Sequence, residues 1–442
     1  MKKELYEDFF THKKVTALGL GLLGRGVGDA DFLLRHNVEL IITDKKTKDE
    51  LASSLEKLSS HTVGVTYHLG EHVMEDFEHR DFILQSAGVP FDSPYVLHAK
   101  EQGIPVYMSA ALVVDIVKKT LPGVVVIGVT GTRGKSTTTA LIAHMLSSSG
   151  MSVTVAGNVR GVANLPVLET IEDDSFLVLE LDSWQLQGFG DLQISPHIAV
   201  FTNFLDDHLN YYRGDKEHYF RDKANIYRHQ TYGDVLITSA QAHDEIRSYG
   251  DTVEAVIPDE RHFQMKLIGA HNHTLANLAY EVGLQCGLSE EEVEDAIRSF
   301  APVPGRLEYC GMFRGVHVIN DNNATTGDAV VAGIRAVAEA YNKKPIVICG
   351  GKDKELDVEA LTCELGTSTK EVLYLSGSGT DKIHLEKKYE FDRLEDCVAT
   401  AFSLAEEGDV ILFSPGFASF SAYFNNEYER NDCFLEILKK YT

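Results

Sequence analysis

The stretch VVVIGVTGTRGKSTTTALIAHML, residues 124–146, decides the fold of this chain. An apolar run of β-branched residues ends at Gly128, a glycine-rich loop follows, and helical sequence starts near Lys135. Strand, glycine loop and helix in this order are typical of a parallel α/β domain, in which the N–H groups of the helix N-terminus face a phosphate. The stretch therefore predicts a phosphate-binding domain in the middle of the chain.

The residues of this loop have the chemistry of an ATP site. Gly131 and Gly134 can bring backbone N–H groups to phosphate oxygens without a Cβ in the way. Lys135 can neutralise the terminal phosphates, and Ser136 can ligate Mg²⁺. The usual first glycine of such a loop is replaced by Val129, so an ordinary tight turn before a helix is the alternative. We predict an ATP site with these contacts: Gly131, Thr132, Arg133, Gly134, Lys135, Ser136 and Thr137.

Strand-like and helix-like segments alternate on both sides of this stretch. VTALGLGLLG, VELIITD, DFILQSAG and GIPVYMS precede it, and FLVLELD and HIAVFTN follow it. After Pro302 and Pro304, a third block contains VHVIND, KPIVICGG, EVLYLSG and DVILFSPG. Such alternation predicts parallel sheets with ligands at the carboxyl ends of the strands. We expect three α/β domains: a Rossmann-like domain over 1–108, a central P-loop ATPase-type mononucleotide-binding domain with a parallel sheet over 109–301, and a C-terminal Rossmann-like domain over 302–442.

A second glycine-rich turn follows the first strand. Gly19, Gly21 and Gly24 form GLGLLG, and Asp44 ends the second strand about twenty residues later, which is the spacing of a dinucleotide fingerprint. An NAD-dependent oxidoreductase is therefore a competing hypothesis, although it leaves the central phosphate loop unexplained. A turn that serves only helix–sheet packing is the other alternative.

Composition limits the classes of partner. The 66 acidic and 41 basic residues give a formal charge of −25, which disfavours nucleic acid as a partner. The sequence contains no run of about 18 apolar residues, so we predict no membrane span. The N-terminus lacks the pattern of a secretory signal. The six cysteines include no CxxC pair, so neither a zinc site nor a disulfide framework is indicated. We expect a reduced, cytoplasmic, monomeric enzyme that acts on small molecules.

Further motifs extend along nearly the whole chain. They are GNVRG at 157–161, LELDSWQL at 179–186, NFLDDHLNYY at 203–212, FRDKANIY at 220–227, GAHN at 269–272, PGRLE at 304–308, INDNNATTGDA at 319–329, GGKDKELD at 350–357 and SPGFAS at 414–419. Together with the two glycine loops, this series resembles the Mur ligases, which build the peptide stem of peptidoglycan. Within that family the resemblance is strongest to the branch that adds D-glutamate to UDP-N-acetylmuramoyl-L-alanine.

The resemblance implies an ATP-dependent amide ligase that works through an acyl phosphate. In that family the γ-phosphoryl group of ATP activates a carboxylate, and the amine of the incoming amino acid then displaces phosphate. The implied catalytic residues are Lys135, Glu180, His208 and Lys223, and the implied Mg²⁺ ligands are Ser136, Glu180, His208 and Lys223. Lys223 matches a lysine that CO₂ converts to a carbamate, which requires a neutral amine.

The resemblance also assigns the remaining ligand contacts. Asn272, Arg306 and Asp321 match contacts to adenine, phosphate and ribose, and Asn277 is a further candidate for adenine. The UDP end is expected in the first domain, and the amino acid in the last. The implied substrate contacts are Gly21, Leu22, Leu23, Gly24, Asp44, Ser86, Gly88, Asn158, Asp182, Gln185, Asn323, Thr325, Lys354 and Ser419.

Two departures from the family pattern fall near the expected amino-acid pocket. Asn323 stands where a lysine is common, and Asp182 stands where a serine is common. Asparagine can donate a hydrogen bond to a carboxylate but cannot neutralise it. An enzyme that uses L-glutamate or another acidic amino acid is therefore an alternative, as are a folylpolyglutamate-synthase-like enzyme and a catalytically silent homologue.

Overall fold

The structure is a computed structural model that describes residues 2–22, 24–90, 92–208, 211–355, 357–386, 389–419, 424 and 426–441, with the side chains of 2–5 left out. The chain divides into two compact units. The first unit comprises Met1–Asp259 and Asn277–Val293, and the second comprises Glu260–Ala276 and Glu294–Thr442. The predicted division into three domains at 108 and 301 stays a prediction.

The first sheet is parallel and has the strand order β3-β2-β1-β4-β5. Its strands are β1 Lys14–Leu18, β2 Glu39–Asp44, β3 Val65–Leu69, β4 Phe82–Gln85 and β5 Val106–Tyr107. The helices are α1 Lys2–Phe10, α2 Arg25–Arg35, α3 Ala52–Lys57, α4 Pro94–Glu101 and α5 Ser109–Thr120. The central strands β1, β2 and β4 are buried along nearly their whole length, as is usual for parallel sheets that are covered on both faces.

The second sheet is also parallel, with the order β10-β9-β6-β8-β7. Its strands are β6 Val125–Thr130, β7 Val153–Gly157, β8 Phe176–Glu180, β9 Ile198–Phe201 and β10 Val235–Thr238. The helices that follow are α6 Lys135–Ser148, α7 Val167–Thr170, α8 Ser183–Leu192, α9 Lys216–Ala224, α10 Ala240–Ser248, α11 Ala270–Gln285 and α12 Glu290–Ser299. Strand β6 extends two residues beyond its predicted end at Gly128, because Val129 pairs with Glu180 and Thr130 pairs with Phe201.

The first two sheets share one hydrophobic core. A continuous cluster of buried side chains includes Val15 of β1, Val113 of α5 and Leu177 of β8. At the seam, the backbone N–H of Leu165 donates to the Asp29 carboxylate at 2.8 Å. A Cβ at Gly28 would lie only 2.5 Å from the Ala163 Cβ, so only glycine allows this approach.

The third sheet lies in the second unit and has the order β11-β12-β16-β13-β14-β15. Its strands are β11 Glu308–Phe313, β12 Val316–Asn320, β13 Ile346–Gly350, β14 Glu371–Leu375, β15 Glu390–Phe391 and β16 Val410–Phe413. The helices are α13 Gly327–Tyr341, α14 Glu359–Ser368, α15 Leu394–Leu404 and α16 Glu427–Leu438.

This third sheet corrects the expectation of purely parallel sheets. Strand β11 runs antiparallel to β12. Only Arg314 and Gly315 separate the two strands, and both have positive φ values, of 51° and 79°. Positive φ at both central residues is the geometry of a tight hairpin turn, which reverses the chain without a crossover helix.

No helix among the described residues is both long and apolar enough to cross a bilayer.

Candidate active site

The predicted phosphate loop lies between β6 and the N-terminus of α6. Gly131 has φ of 143° and Gly134 has φ of 82°, and α6 begins at Lys135 as predicted. A Cβ at Gly131 would lie 1.9 Å from the Thr202 hydroxyl oxygen, so this position requires glycine. A Cβ at Gly128 would lie 2.5 Å from Pro196, which makes Gly128 a packing glycine of the strand rather than part of the loop.

The segment after β9 fixes this loop. The Asn203 side-chain oxygen accepts from the Arg133 N–H at 2.8 Å, and the Thr202 hydroxyl donates to the Arg133 carbonyl at 2.5 Å. The Arg133 guanidinium pairs with Asp207 at 2.7 Å. Sequence reasoning missed Thr202 and Asn203. Their position in the sequence could have pointed to them, because they come directly after the apolar strand HIAVF, which lies beside the strand that leads into the loop.

Two lysines converge on the loop from different helices. Lys135 Nζ donates to the Gly131 carbonyl at 2.9 Å and to the Thr132 carbonyl at 3.1 Å. Lys223, on α9, donates to the same Gly131 carbonyl at 2.8 Å. Lys223 is only 1% exposed, and its Nζ lies 5.0 Å from the centre of the Tyr219 ring.

The environment of Lys223 favours its neutral form. Burial holds the pKa of Lys223 well below its usual value, and the nearby charge of Lys135 lowers it further, whereas Asp182 and Asp207 act in the opposite direction. A buried amine of this kind is a better nucleophile towards small electrophiles than a solvated lysine, because its lone pair is not protonated.

Glu180 is the last residue of β8 and His208 follows β9, and these two strands lie on either side of β6. Glu180 pairs with Val129 in the sheet and is 5% exposed. A Cβ at Gly157 would lie 2.1 Å from the Glu180 carbonyl, so the glycine of GNVRG lets β7 approach the end of β8. The His208 ring lies 4.9 Å from Trp184 between ring centres, and the preceding Asp207 is the partner of Arg133.

The donors at this edge of the sheet suit Mg²⁺ bound jointly with phosphates. The described residues contain no group of three or more His, Cys, Asp or Glu side chains that could by itself hold a metal ion. Mg²⁺ usually needs only one or two carboxylates when phosphate oxygens and water complete its shell. The Glu180 carboxylate and the Ser136 hydroxyl are hard oxygen donors of this type, whereas the His208 imidazole is a softer donor.

Asp182 and Gln185 have a local structural role. The Asp182 carboxylate accepts from the Gln185 N–H at 2.7 Å, and the Gln185 side chain accepts from the Asp182 N–H at 3.4 Å. This is a complete capping box at the start of α8. The predicted substrate contacts of both residues stay predictions.

In the first sheet, Asp44 holds the glycine turn by its backbone. Its carboxylate accepts from the N–H groups of Leu20 at 2.9 Å, Gly21 at 3.0 Å and Lys46 at 2.9 Å. The Ser86–Gly88 turn lies against the same loop, since a Cβ at Gly19 would lie 3.0 Å from the Ser86 Cβ. The Asp44 carboxylate thus accepts hydrogen bonds from backbone N–H groups of the chain itself. In a dinucleotide fingerprint, the corresponding acid instead accepts a hydrogen bond from a ribose hydroxyl.

The rest of the glycine turn leads to the seam between the first two sheets. Leu22 is 43% exposed, and Gly24 precedes α2 with a φ of 85°. Leu23 lies outside the described residues. The Arg25 guanidinium donates to the Asn158 side-chain oxygen across the seam. Sequence reasoning missed Arg25, because a contact between residues 133 positions apart leaves no local pattern.

In the second unit, Asp321 is held at the end of β12. Its carboxylate accepts from the Ser414 hydroxyl at 2.9 Å and from the Leu307 N–H at 3.2 Å, next to Arg306. Burial raises the pKa of Asp321 to about 7, although these hydrogen bonds and Arg306 act to lower it. Asn272 is buried on α11, and its side chain donates to the Ile268 carbonyl at 2.7 Å, whereas Asn277 is buried on the part of α11 that belongs to the first unit.

The predicted amino-acid contacts come together at the carboxyl ends of β12, β13 and β16. Lys354 Nζ donates to the Thr325 hydroxyl at 3.0 Å. Lys352 and Ala418 exchange backbone hydrogen bonds at 3.2 and 3.0 Å, which joins the segment of Lys354 to that of the buried Ser419. Asn323 is anchored by its N–H, which donates to the Gly305 carbonyl at 2.9 Å.

Three parts of the chain match known families. Residues 13–108 match the MurD-like N-terminal domain of Mur ligases, residues 129–254 match the Mur ligase middle domain, and residues 305–417 match the Mur ligase glutamate ligase domain. Among solved structures, the chain resembles the MurC ligase of Thermotoga maritima, with a TM-score of 0.63 and 19% identity over 98% of this chain and 100% of that one. It also resembles the Thermotoga maritima MurF ligase solved in complex with ADP, with a TM-score of 0.60 and 17% identity over 99% and 96%. These likenesses show a shared fold.

Curated relatives match over almost their full length. The chain is 31% identical to the UDP-N-acetylmuramoylalanine–D-glutamate ligase of Roseiflexus sp., over 97% of this chain and 99% of that protein. It is 32% identical to the ligase of the same name from Oceanobacillus iheyensis, over 96% and 97%. With three Mur ligase domains and full-length relatives of at least 30% identity, the chain belongs to the Mur ligase family.

Proposed function

We propose that this chain is an ATP-dependent ligase that joins D-glutamate to UDP-N-acetylmuramoyl-L-alanine through an acyl phosphate, in the synthesis of peptidoglycan precursors. The observation that carries the proposal is the convergence of Lys135 and Lys223 on the Gly131 carbonyl of a phosphate loop. The names of the full-length relatives support the choice of substrates. An NAD-dependent oxidoreductase has no use for this loop, and Asp44 is occupied by its own turn.

The phosphate loop would bind the nucleotide by its amides and its cation. The N–H groups at the start of α6 offer hydrogen bonds and a partial positive charge to phosphate oxygens. Lys135 would exchange its bonds to the Gly131 and Thr132 carbonyls for the terminal phosphate. The protein thereby supplies positioning and charge neutralisation, which are the main requirements of phosphoryl transfer.

Mg²⁺ would be held by Ser136, Glu180 and His208. Bound there, it would neutralise charge on the phosphate oxygens. Glu180 fits this role because it is a nearly buried carboxylate at the end of a strand paired with the strand of the loop. We also propose that the neutral amine of Lys223 adds CO₂, forming an N–C bond and releasing one proton. The side chain then changes from a potential cation to an anion beside these groups.

The substrates would bind at two further places. The glycine turn 21–24, Asp44 and the Ser86–Gly88 turn would receive the UDP end, with Asn158 near the sugar and peptide. Thr325, Lys354, Ser419 and Asn323 would receive the amino acid. The second candidate is a sibling ligase that uses L-glutamate, which is favoured by one observation: Asn323 is neutral where a lysine is common. We further propose that the protein is a monomer and that it works in the cytoplasm, a reducing compartment that agrees with its six free cysteines.

One assay tests the proposal. Purified protein is incubated with ATP, Mg²⁺ and UDP-N-acetylmuramoyl-L-alanine, with D- and L-glutamate offered separately, and mass spectrometry follows ADP and the extended product. We expect product with D-glutamate only, and loss of coupled ADP release in Lys135→Ala. Product with L-glutamate only would overturn the named substrate. Absence of product with either would favour a silent homologue.

A further inference from the structure

Arg430 is the most deeply buried lysine or arginine side chain among the described residues of the second unit. It lies on α16 and is 2% exposed. Its guanidinium donates from Nε to the Asn322 side-chain oxygen at 2.8 Å, from Nη2 to the Asn322 carbonyl at 2.9 Å and from Nη1 to the Phe417 carbonyl at 3.4 Å. Sequence reasoning did not select it, because α16 and β12 are more than 100 residues apart.

These contacts place the guanidinium next to the two segments that carry the proposed amino-acid contacts. Asn322 immediately precedes Asn323 and lies three residues before Thr325, and Phe417 lies two residues before Ser419. Arg430 therefore joins the two segments that carry these residues. Asn322 is held in addition by its side-chain amide, which donates to the Glu427 carbonyl at 2.8 Å.

The charge of Arg430 is only partly compensated, by the nearby charge of Glu427. All three of its hydrogen bonds go to neutral oxygen atoms, so no carboxylate among the described residues pairs with it. The undescribed positions 420–423 and 425 carry no acidic side chain. Burial lowers the pKa of Arg430 to about 10, and the attraction of Glu427 only partly opposes this. A buried cation of this kind is unfavourable unless an anion comes near it.

The proposed acceptor supplies such an anion. An amine must be unprotonated to attack, so glutamate in its reactive form carries two carboxylates and no positive charge. In the proposed pocket, Lys354 is one cation, and Lys352 is exposed, so water and salt screen its charge. The buried Arg430 can supply a second positive charge through a water-poor environment, in which charges attract over a longer range.

We infer that Arg430 is the specificity-determining residue that favours a dicarboxylic amino acid over its neutral analogue. It acts through its buried charge, which its hydrogen bonds to Asn322 and Phe417 hold in place, and it does not touch the substrate. The inference rests on the proposed function. For an assumed separation of about 8 Å between the two charges, an effective dielectric constant of about 20 gives an attraction that corresponds to about 30-fold in affinity.

The test compares Arg430→Gln, Arg430→Lys and the double variant R430Q/N323K in the full-length protein, with KM measured for glutamate, glutamine, ATP and the UDP substrate. In Arg430→Gln we expect the KM for glutamate to rise about 10- to 100-fold, the KM for ATP to change less than about threefold, and the preference for glutamate over glutamine to fall. Arg430→Lys keeps the charge but loses the planar fork, and it should remain within about threefold of the parent enzyme.

The double variant separates charge from structure. Asn323→Lys puts a cation one residue from Asn322, so it should restore at least about tenfold of the loss if charge is the cause. A glutamate KM unchanged in Arg430→Gln, an equal rise for glutamine and ATP, or an Arg430→Lys variant as impaired as Arg430→Gln would each overturn the inference. If Arg430→Gln does not fold, by thermal denaturation, the Arg430→Lys comparison decides. Failure of the proposed function would show differently, since the parent enzyme would then form no product with any acidic amino acid.

Discussion

Replacing Lys135 by methionine should suppress carbamate formation on Lys223. The Nζ atoms of Lys135 and Lys223 both donate to the Gly131 carbonyl, at 2.9 and 2.8 Å, so the two nitrogens lie about 5 Å apart. At that distance an effective dielectric constant of about 20 gives a repulsion of about 3 kcal/mol, or a factor of about 200. Lys135 is half-buried, so water screens part of this repulsion. We therefore expect removal of the charge to lower carbamate formation by at least about tenfold.

Two effects act in the same direction. Without the charge of Lys135, the Lys223 amine is protonated more readily, so less of it is neutral and able to add CO₂. The carbamate, once formed, also loses a nearby cation that would stabilise it. The fraction of carbamate at a fixed pH and CO₂ concentration should therefore fall in Lys135→Met, and its half-point should move to higher pH.

The assay is ¹³C NMR of the protein equilibrated with ¹³C-bicarbonate at pH 7.5, which needs no catalytic turnover. Lys223→Arg identifies the signal by removing it. Lys216→Met is the matched control on the same helix, because Lys216 pairs with Asp206 at 2.9 Å and its pKa is raised by that contact. An undiminished carbamate signal in Lys135→Met, or no signal that depends on Lys223, would refute the reasoning.

Three further predictions follow from single contacts. Gly131→Ala forces a Cβ to within 1.9 Å of the Thr202 hydroxyl. The substitution should lower the free energy of unfolding by about 1–3 kcal/mol and abolish ATP binding. Urea unfolding and nucleotide titration curves that match those of the parent protein would contradict this. The pKa of Asp321 is raised to about 7 in the folded chain, above its value in the unfolded chain. Between pH of about 4 and 7 the folded chain therefore binds a proton that the unfolded chain has lost. The free energy of unfolding should fall over this range as the pH rises, by up to about 4 kcal/mol. Asp321→Asn should flatten this part of a stability profile measured by chemical unfolding, and an unaltered slope would show that burial of Asp321 is not its source. Asp182→Ala removes the cap of α8 and should cost about 1 kcal/mol, whereas Asp182→Ser retains a capping oxygen and should cost less than half of that in the same unfolding measurement; equal losses would argue against the capping role.

Local patterns in the sequence were sufficient for much of the fold. The start of α6 at Lys135 and the parallel first and second sheets follow from alternating strands and helices and from the glycine loop. The antiparallel β11 was not predicted, because Arg314 is an unusual residue for a turn position with positive φ. Only the pairing of β11 with β12 reveals it.

The site was predictable where a motif is local and not where contacts are distant. The loop glycines and Lys135 could be identified from spacing alone. Asp44 was singled out as a substrate contact, which stays a prediction; in the structure its carboxylate accepts hydrogen bonds from backbone N–H groups. Arg25 and Arg430 were missed because each acts on a partner more than 100 residues away, and lone arginines on helices are usually solvated.

The seam of the first unit restricts how this enzyme can be taken apart. A truncated chain without the first sheet would strip Leu165 of the carboxylate that accepts its N–H and would expose the inner face of α5 to water. Exchanging that sheet for one from a sibling with a different nucleotide-sugar preference would require a glycine at 28 and a small side chain at 163 in the same chimera. Changes in the first sheet are thus coupled to residues on the other side of the seam.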